Sequence, residues 1–312
     1  MKNVTVVGCG IIGLTTAIAL QEKGWKVKIV AKERFENTLS QKVGAIWFPF
    51  EVHPMHSATR WGALAYQRYL QELFNGNGVS FIPFVVVYTS ESDASWTKKL
   101  PAEAIRNASL KELPLNVNAA YVATVPLAEP QLYLPHLFKR FLADGGEFTE
   151  MKLETLQQTS ELDTYVVNCT GLGAKTLCND EELTPIRGQI LRVALLDVRS
   201  CVNSTKPGAL SYVIKRSADC IIGGTDYIND WNLNVEQKDT DLILYRFREA
   251  GLSKNEPEIL EELVGLRPGR PQVRFEFDEI YKNVFHNYGH GGAGFTVGWG
   301  CALELAELLT KK

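Results

Sequence analysis

The stretch Val4-Thr-Val-Val-Gly-Cys-Gly-Ile-Ile-Gly13, close to the start of the chain, decides the fold. Its first four residues form an apolar run typical of a short buried strand, and residues 10–23 carry apolar side chains at helical spacing. Gly24 follows as a helix-terminating glycine, and residues 25–30 predict a second strand. The sequence therefore predicts one β-α-β unit of the doubly wound α/β kind.

Three glycines between the first strand and the helix indicate an anion site. Gly8 permits a tight turn, Gly10 lets the backbone approach a phosphate, and Gly13 lets the helix pack closely on the strand. The helix N-terminus adds unpaired N–H groups and a positive dipole end. The same glycines would also suit a tight strand–helix turn with nothing bound, but their place between a strand and a helix favours a dinucleotide.

A second glycine cluster, His286–Gly300, favours FAD over NAD. It holds six of the 25 glycines, and an apolar helix-like segment, residues 301–309, follows it. A helix N-terminus at this point would stabilise the negative charge of a reduced flavin, whereas an NAD enzyme does not need the far end of its chain for the cofactor. Glu33 is the candidate acid for the adenosine ribose, one position later than the usual spacing.

Composition restricts the class of protein. The chain has 312 residues, of which 45% are hydrophobic and 22% charged, as in soluble enzymes. A net charge of −3 gives no support for a nucleic acid or an anionic membrane as partner. The six cysteines are scattered without metal-ligand spacing, so we predict no metal site, no disulfide scaffold and a reducing, cytoplasmic compartment.

The rest of the chain predicts a second domain that exchanges segments with the first. We expect a Rossmann-type FAD-binding domain of residues 1–47, 137–187 and 285–312. It is interleaved with an α+β substrate-binding domain of residues 48–136 and 188–284, built on a mixed or antiparallel sheet. Helical spacing is seen in residues 61–74, 130–142, 241–250 and 257–263, and strand-like runs in 79–82, 84–88, 147–156, 165–171, 187–193 and 219–224.

Seven segments, in the same order along the chain, resemble the D-amino acid oxidase family, which includes the D-aspartate oxidases. They are Val7-Gly-Cys-Gly-Ile-Ile-Gly-Leu14, Ala45-Ile-Trp-Phe-Pro49, Val167-Asn-Cys-Thr-Gly171, Arg187-Gly-Gln189, Gly265-Leu-Arg-Pro-Gly-Arg-Pro271, Asn287-Tyr-Gly-His-Gly-Gly-Ala-Gly294 and Trp299-Gly-Cys-Ala-Leu-Glu304. The resemblance implies FAD as the cofactor and the oxidation of an amine by oxygen.

The resemblance also implies three substrate contacts. The family's carboxylate-binding arginine falls on Arg267, whose guanidinium presents two parallel donors to a carboxylate. A tyrosine hydroxyl on the same carboxylate falls on Tyr212, and the carbonyl that accepts from the substrate amine falls on Gly292. A structural ion pair is the alternative role for Arg267.

The residues that the resemblance assigns to FAD come from both ends and the middle of the chain. They are Gly8, Gly10, Ile11, Ile12, Gly13, Lys32, Glu33, Thr38, Ser40, Gln41, Ala45, Ile46, Trp47, Leu153, Cys169, Thr170, Gly171, Arg267, Gly291, Gly292, Ala293, Gly294, Phe295 and Thr296.

The sequence departs from the family pattern at two places. Gly208 stands where mammalian-type oxidases have a lid tyrosine, which predicts a more open pocket. Asp226 and a residue near Asn203 stand where D-aspartate oxidases use arginines. An acid at Asp226 would repel an acidic substrate and favour a cationic one, unless it faces solvent. Phe48 is a further candidate for the side-chain pocket.

We therefore expect an FAD-dependent oxidase that converts neutral or basic D-amino acids and oxygen to imino or keto acids, ammonia and hydrogen peroxide. Homodimer formation is left open. The alternatives are an amine oxidase acting on glycine or sarcosine, a D-amino acid dehydrogenase, and, less favoured, a D-aspartate oxidase or a non-catalytic flavoprotein.

Overall fold

The computed structural model describes residues 2–49, 52–73, 76–206, 208–253 and 255–311. Its strands within these ranges are β1 Asn3–Val7, β2 Lys26–Ala31, β3 Val79–Val87, β4 Ile105–Asn107, β5 Ala120–Ala128, β6 Glu147–Glu150, β7 Val166–Asn168, β8 Thr184–Ala194, β9 Ser200–Asn203, β10 Ser211–Lys215, β11 Asp219–Gly223, β12 Tyr227–Ile228, β13 Ile259–Gly269, β14 Arg274–Phe277 and β15 Val284–Tyr288. Its α-helices are α1 Ile11–Glu22, α2 Met55–Gln71, α3 Pro130–Ala143, α4 Leu156–Ser160, α5 Ala174–Leu177, α6 Gln237–Glu249 and α7 Gly294–Thr310. No helix among the described residues is long and apolar enough to cross a bilayer.

The chain divides into two compact units, each built from separate segments. The first unit comprises residues 1–79, 128–185 and 267–312, and the second comprises 80–127 and 186–266. These ranges differ from the predicted domain boundaries, because α2 and residues 128–136 and 267–284 belong to the first unit.

The sheet of the first unit confirms the predicted doubly wound arrangement. Its order is β14-β15-β7-β1-β2-β6, and all neighbouring pairs are parallel except β14 with β15. The central strand β1 is buried from its second residue onward. The register places Val7, Asn168 and His286 side by side, so the carboxyl ends of three strands meet at one edge. Ligands of open α/β sheets bind at such an edge.

Helix α2 packs on α7, which explains its place in the first unit. The Trp61 side chain of α2 is buried in one cluster with Val297 and Cys301 of α7. The backbones approach so closely that a β-carbon on Gly300 would lie 2.1 Å from the carbonyl oxygen of Trp61. Glycine at this position therefore sets the distance between the two helices.

The second unit is built on a mixed sheet of order β12-β8-β11-β10-β9-β3-β5-β4, with β13 also paired to β8. Strand β3 runs parallel to β9, while the neighbouring pairs β8–β11, β11–β10 and β10–β9 are antiparallel. In one hydrophobic cluster of this unit, Ile243 and Phe247 of α6 pack against apolar side chains of β8, β10 and β11.

The prediction of a helix over residues 257–263 was wrong, because residues 259–269 form strand β13. The amide of Ala194, at the end of β8, donates to the carbonyl of Glu258 at 2.9 Å. Ile259, Leu260 and Leu263 have helical spacing, but pairing with a neighbouring strand outweighs the local pattern.

Two alanine substitutions in α7 test the close approach of α2. Both Gly300→Ala and Gly298→Ala gain about 1 kcal/mol of helix propensity. At Gly300 the new methyl meets the backbone of Trp61, whereas at Gly298 it meets the flexible tip of Ile12 at 3.1 Å. We expect Gly300→Ala to lower the free energy of unfolding by about 2 kcal/mol and Gly298→Ala to change it by less than about 1 kcal/mol. Denaturant titration of both variants measures this difference, and equal effects would contradict the packing argument.

Candidate active site

The turn from β1 into α1 has room only for glycine at two positions. Gly8 has φ +116°, and a β-carbon there would lie 2.4 Å from the carbonyl oxygen of Cys169. A β-carbon on Gly13 would lie 2.0 Å from the carbonyl oxygen of Gly8. The turn therefore keeps α1 close to the strands beneath it.

The N-terminus of α1 presents amide groups at the carboxyl edge of the sheet. Gly10 caps the helix without a side-chain hydrogen bond. The Ile11 amide donates to Ser40 Oγ at 3.0 Å, so the segment after β2 is attached to the helix start. First-turn amides of a helix lack intrahelical acceptors, which makes this end suitable for phosphate.

The N-terminus of α7 lies beside that of α1. A β-carbon on Gly294 would be 3.3 Å from Ile11 Cγ2, and one on Gly298 would be 3.1 Å from Ile12 Cδ1 and 3.6 Å from Thr15 Oγ1. Contacts therefore advance in the same direction along both helices, so the helices run parallel and begin together. Their positive dipole ends coincide, which favours a ligand that carries negative charge.

Arg267 packs against the glycine turn that opens α7. A β-carbon on Gly292 would lie 3.4 Å from Arg267 Cδ and 3.8 Å from Nε. The Gly291 amide donates to the carbonyl of Pro268, the next residue after Arg267, at 2.8 Å. The structure therefore brings together two of the three predicted substrate contacts, and Arg267 is half-buried.

Tyr212 and Asp226, the other predicted substrate residues, lie in the second unit. Tyr212 of β10 pairs with Gly223 of β11, and its ring occupies the space where a side chain of Gly223 would stand. A β-carbon on Gly224 would lie 3.1 Å from the Tyr212 hydroxyl. These adjacent glycines seat the ring, and Asp226 follows them, half-buried. Within the described residues the Asp226 carboxylate has no hydrogen bond or ion pair.

Comparison with known proteins identifies the family. The sequence profile described as "DAO: FAD dependent oxidoreductase" matches residues 3–308. A D-amino-acid oxidase of Rubrobacter xylanophilus is 35% identical over 99% of this chain and 96% of its own. One of Dictyostelium discoideum is also 35% identical, over 98% of this chain and 91% of its own.

This chain belongs to the D-amino acid oxidase family.

Solved structures agree with this fold. A glycine oxidase from Bacillus cereus superposes with a TM-score of 0.78 over 99% of this chain and 95% of its own, at 18% identity. An L-proline dehydrogenase from P. horikoshii superposes with a TM-score of 0.79 over 99% of this chain and 93% of its own, at 17% identity. At these identities the likeness shows the fold alone.

FAD is the cofactor of this family, and the first unit has features that fit it. All residues predicted to contact FAD lie in this unit. The Gln41 side-chain oxygen is buried and has no hydrogen-bond donor within the described residues, so it can accept from a cofactor group. Lys32 and Glu33 follow β2, with Lys32 Nζ 3.4 Å from Glu33 Oε1.

Several predicted cofactor residues have structural contacts of their own. Trp47 is buried and donates from Nε1 to the carbonyl of Gly62 at 3.0 Å. The Thr296 hydroxyl accepts from the Phe48 amide at 3.0 Å and donates to the Phe48 carbonyl at 2.9 Å. Their side chains thus hold the segment from Ala45, whose φ is +53°, to Phe48 against α2 and α7.

The segments from the middle of the chain contribute backbone and apolar surface. Leu153 packs on a cluster that includes Val7. Burial raises the pKa of the Cys169 thiol to about 12, so Cys169 is not a thiolate nucleophile. Thr38 Oγ1 donates to the Phe35 carbonyl, and Gly171 has φ +56°. The 169–171 turn lies at the same edge of the sheet as Gly8, with the Cys169 carbonyl oxygen against it.

Two other arginines and one histidine near the glycine turn have structural roles in this family member. Arg270 forms an ion pair with Asp180 at 3.0 Å, and Arg274 donates to the Tyr288 hydroxyl at 2.9 Å. Burial lowers the pKa of His290 to about 3, so its imidazole is neutral. Its Nε2 lies 3.6 Å from Cys301 Sγ.

Two groups that support the predicted site were not predicted from the sequence. Gly223 and Gly224 leave the space that the Tyr212 ring occupies. The sequence feature that could have indicated this is a pair of glycines at the end of the strand that follows Tyr212. Asn168 bridges Thr170 and His286, and the signal was a polar residue at the end of a strand that is otherwise apolar.

A substitution at Gly13 tests the cofactor turn. Gly13→Ala forces a methyl against the Gly8 carbonyl, so we expect the FAD dissociation constant to rise about 30- to 100-fold, equivalent to about 2–3 kcal/mol. Gly173→Ala is the control, because its β-carbon would make only ordinary contacts of 3.6 Å and longer. Titration of the apoprotein with FAD, followed by flavin fluorescence, measures both constants. Equal affinity of the Gly13 variant and the unsubstituted protein would contradict this assignment.

Proposed function

We propose that the protein is an FAD-dependent oxidase of neutral or basic D-amino acids, which it converts to imino acids that water hydrolyses to keto acids and ammonia. The observation that carries this proposal is the Arg267 side chain packed on the glycine turn at the start of α7. A guanidinium fixed beside a helix N-terminus gives two cationic features that attract a carboxylate.

The proposed roles follow from hydrogen-bond chemistry. Arg267 binds the α-carboxylate through two parallel donors, and the Tyr212 hydroxyl donates to the same carboxylate. The Gly292 carbonyl accepts from the α-amine and so orients Cα. Bound FAD supplies the two-electron acceptor for the hydride of Cα, and oxygen is the final acceptor, released as hydrogen peroxide.

No side-chain base is required in this scheme. When the α-amine binds in its neutral form, its lone pair drives the loss of hydride from Cα. His290 is buried against Cys301, and its lowered pKa keeps it neutral, so it needs no proton-transfer role.

The proposed cytoplasmic location is supported by the six cysteines, all free. Burial raises the pKa of several of them, Cys9, Cys169 and Cys201, to about 12, which protects them from oxidation. A homodimer remains an open prediction.

Replacing the carboxylate-binding arginine tests the central assignment. We expect Arg267→Leu to lower kcat/KM two to four decades, mainly through KM, because loss of a charged partner in a desolvated site costs about 3–5 kcal/mol. Arg248→Leu is the control, since Arg248 forms an exposed ion pair with Glu256. Peroxide production with D- and L-amino acids, glycine and sarcosine measures both. An unchanged KM in the Arg267 variant would contradict the proposal, and activity confined to glycine or sarcosine would replace its substrate class.

The charge of Asp226 makes a separate prediction about specificity. We expect Asp226→Asn to lower kcat/KM for D-lysine about tenfold relative to D-alanine, and to raise it for D-aspartate, because a like charge disfavours binding. Glu249→Gln, on the surface at the end of α6, is the control for loss of one negative charge. If all three substrates change by the same factor, Asp226 does not face the substrate side chain.

A further inference from the structure

A chain of buried hydrogen bonds runs beneath the turn that follows β7. His286 Nε2 lies 3.0 Å from Asp278 Oδ2, and His286 Nδ1 lies 3.2 Å from Asn168 Nδ2. Asn168 Oδ1 accepts from the Thr170 amide at 3.1 Å and from the Thr170 hydroxyl at 2.8 Å. Asn168 and His286 are fully buried and Asp278 is 7% exposed, so water does not compete for these bonds.

The donors and acceptors in this series of hydrogen bonds determine the protonation of His286. Because Asn168 Oδ1 accepts from a backbone N–H, its amide nitrogen must face the histidine. That nitrogen can only donate, so His286 Nδ1 must be an unprotonated acceptor. Nε2 then carries the hydrogen and donates to Asp278. This series of hydrogen bonds therefore requires His286 to be neutral and in a single tautomer.

The sheet register explains why this chain reaches the cofactor turn. Asn168 pairs with His286 of β15 on one side and with Val7 of β1 on the other. The next residue, Cys169, has its carbonyl oxygen against Gly8, where even a β-carbon cannot be inserted. A shift of Asn168 would therefore move the 169–171 turn relative to the start of α1.

The charged groups around His286 come from each neighbouring element. Burial is the largest cause and lowers the His286 pKa, while the hydrogen bond to Asp278 raises it and the charge of Arg274 lowers it. The other titratable groups near this chain are Glu276 opposite His286 on β14, Tyr288 on β15, Cys178 beside Asn168, and Asp180, which accepts from Tyr288.

We propose that His286 is a positioning residue for FAD: in its neutral form it holds the Cys169–Gly171 turn through Asn168, and its protonation releases FAD. A proton on Nδ1 would point at the Asn168 amide hydrogens, two donors facing each other. Asn168 must then turn away and withdraw its acceptor from Thr170. The inference requires only that FAD binds at this turn, and it does not depend on the substrate proposed above.

The direction of the pH effect follows from the sign of the shift. Burial lowers the His286 pKa in the folded protein below its ordinary value of 6.5, so at pH 6.5 and above the imidazole is mainly neutral and FAD affinity is at its full value. The affinity falls as the pH drops through this lowered pKa. For a single proton the dissociation constant of FAD rises up to about tenfold for each pH unit once His286 titrates in the FAD-free protein.

The test compares FAD dissociation constants from pH 5 to 8, measured by flavin fluorescence well below the melting temperature. Far-ultraviolet circular dichroism checks at each pH that the protein is folded. His286→Gln keeps one donor and one acceptor but cannot be protonated. We expect its constant at pH 8 to lie within about threefold of the unsubstituted protein and to vary less than about threefold down to pH 5. His56→Gln, at an exposed histidine of α2, should retain the full pH dependence.

A second variant tests the chain without changing the histidine. In Asp278→Asn, the amide oxygen keeps its bonds to the Ile280 and Tyr281 amides, so its nitrogen faces His286. The imidazole must then change tautomer and place its hydrogen toward Asn168. We expect the FAD constant to rise about tenfold at pH 8, where the His286→Gln protein binds normally.

Two outcomes would overturn the proposal. In one, the FAD dissociation constant of His286→Gln depends on pH as strongly as that of the unsubstituted protein. In the other, Asp278→Asn binds FAD at pH 8 as tightly as the unsubstituted protein. Oxidation of D-alanine is measured separately with saturating FAD at pH 8. Its absence would count against the proposed substrate class and would leave the FAD titrations interpretable.

Discussion

The parallel contact between α1 and α7 is the constraint on which the rest of the first unit depends. These helices come from opposite ends of the sequence, and their first turns touch at Ile11 and Gly294. Two positive dipole ends placed together repel each other unless negative charge lies between or above them. A dinucleotide that carries a pyrophosphate and a ring able to accept electrons supplies such charge. A cofactor bound at these two helix starts would therefore stabilise the contact between α1 and α7, because a ligand that binds only the folded state stabilises it.

The glycines of the turn between β1 and α1 were the part of the fold most accessible from sequence. Gly8 and Gly13 stand between a strand and a helix that the local pattern predicts, although the atom that a β-carbon on Gly8 would meet is the carbonyl oxygen of the distant Cys169. Where α7 begins was less accessible: the apolar pattern indicated 301–309, but the helix starts at Gly294. Glycine weakens helix propensity, so the glycine-rich first turns are helical because they pack on α1 and α2.

The remaining features depended on contacts between distant segments. Strand β13 has helical spacing in its first residues, and only its pairing with β8 decides its structure. The contact between Arg267 and Gly292 joins two distant segments, and no local sequence pattern predicts it. The roles of both residues were assigned from the family resemblance. In the same way, the bond between Asn168 and His286 spans 118 positions and depends on the register of β7 with β15. Long-range register is what a single sequence conveys least.

Charge placement in the second unit connects the fold to specificity. Arg187 and Asp239 are fully buried and form an ion pair at 2.6 Å, and the Tyr227 hydroxyl donates to Asp239 at 2.8 Å. Arg246 of α6 uses its donors on backbone carbonyls, including that of Gly224 at 3.2 Å. Both guanidinium groups are therefore committed to partners other than Asp226. Within the described residues the Asp226 carboxylate has no cationic partner, so the cationic side chain of a ligand could pair with it. The proposed preference for neutral or basic substrates thus depends on two features: the Asp226 carboxylate, and the pairing of Arg187 and Arg246 with other partners.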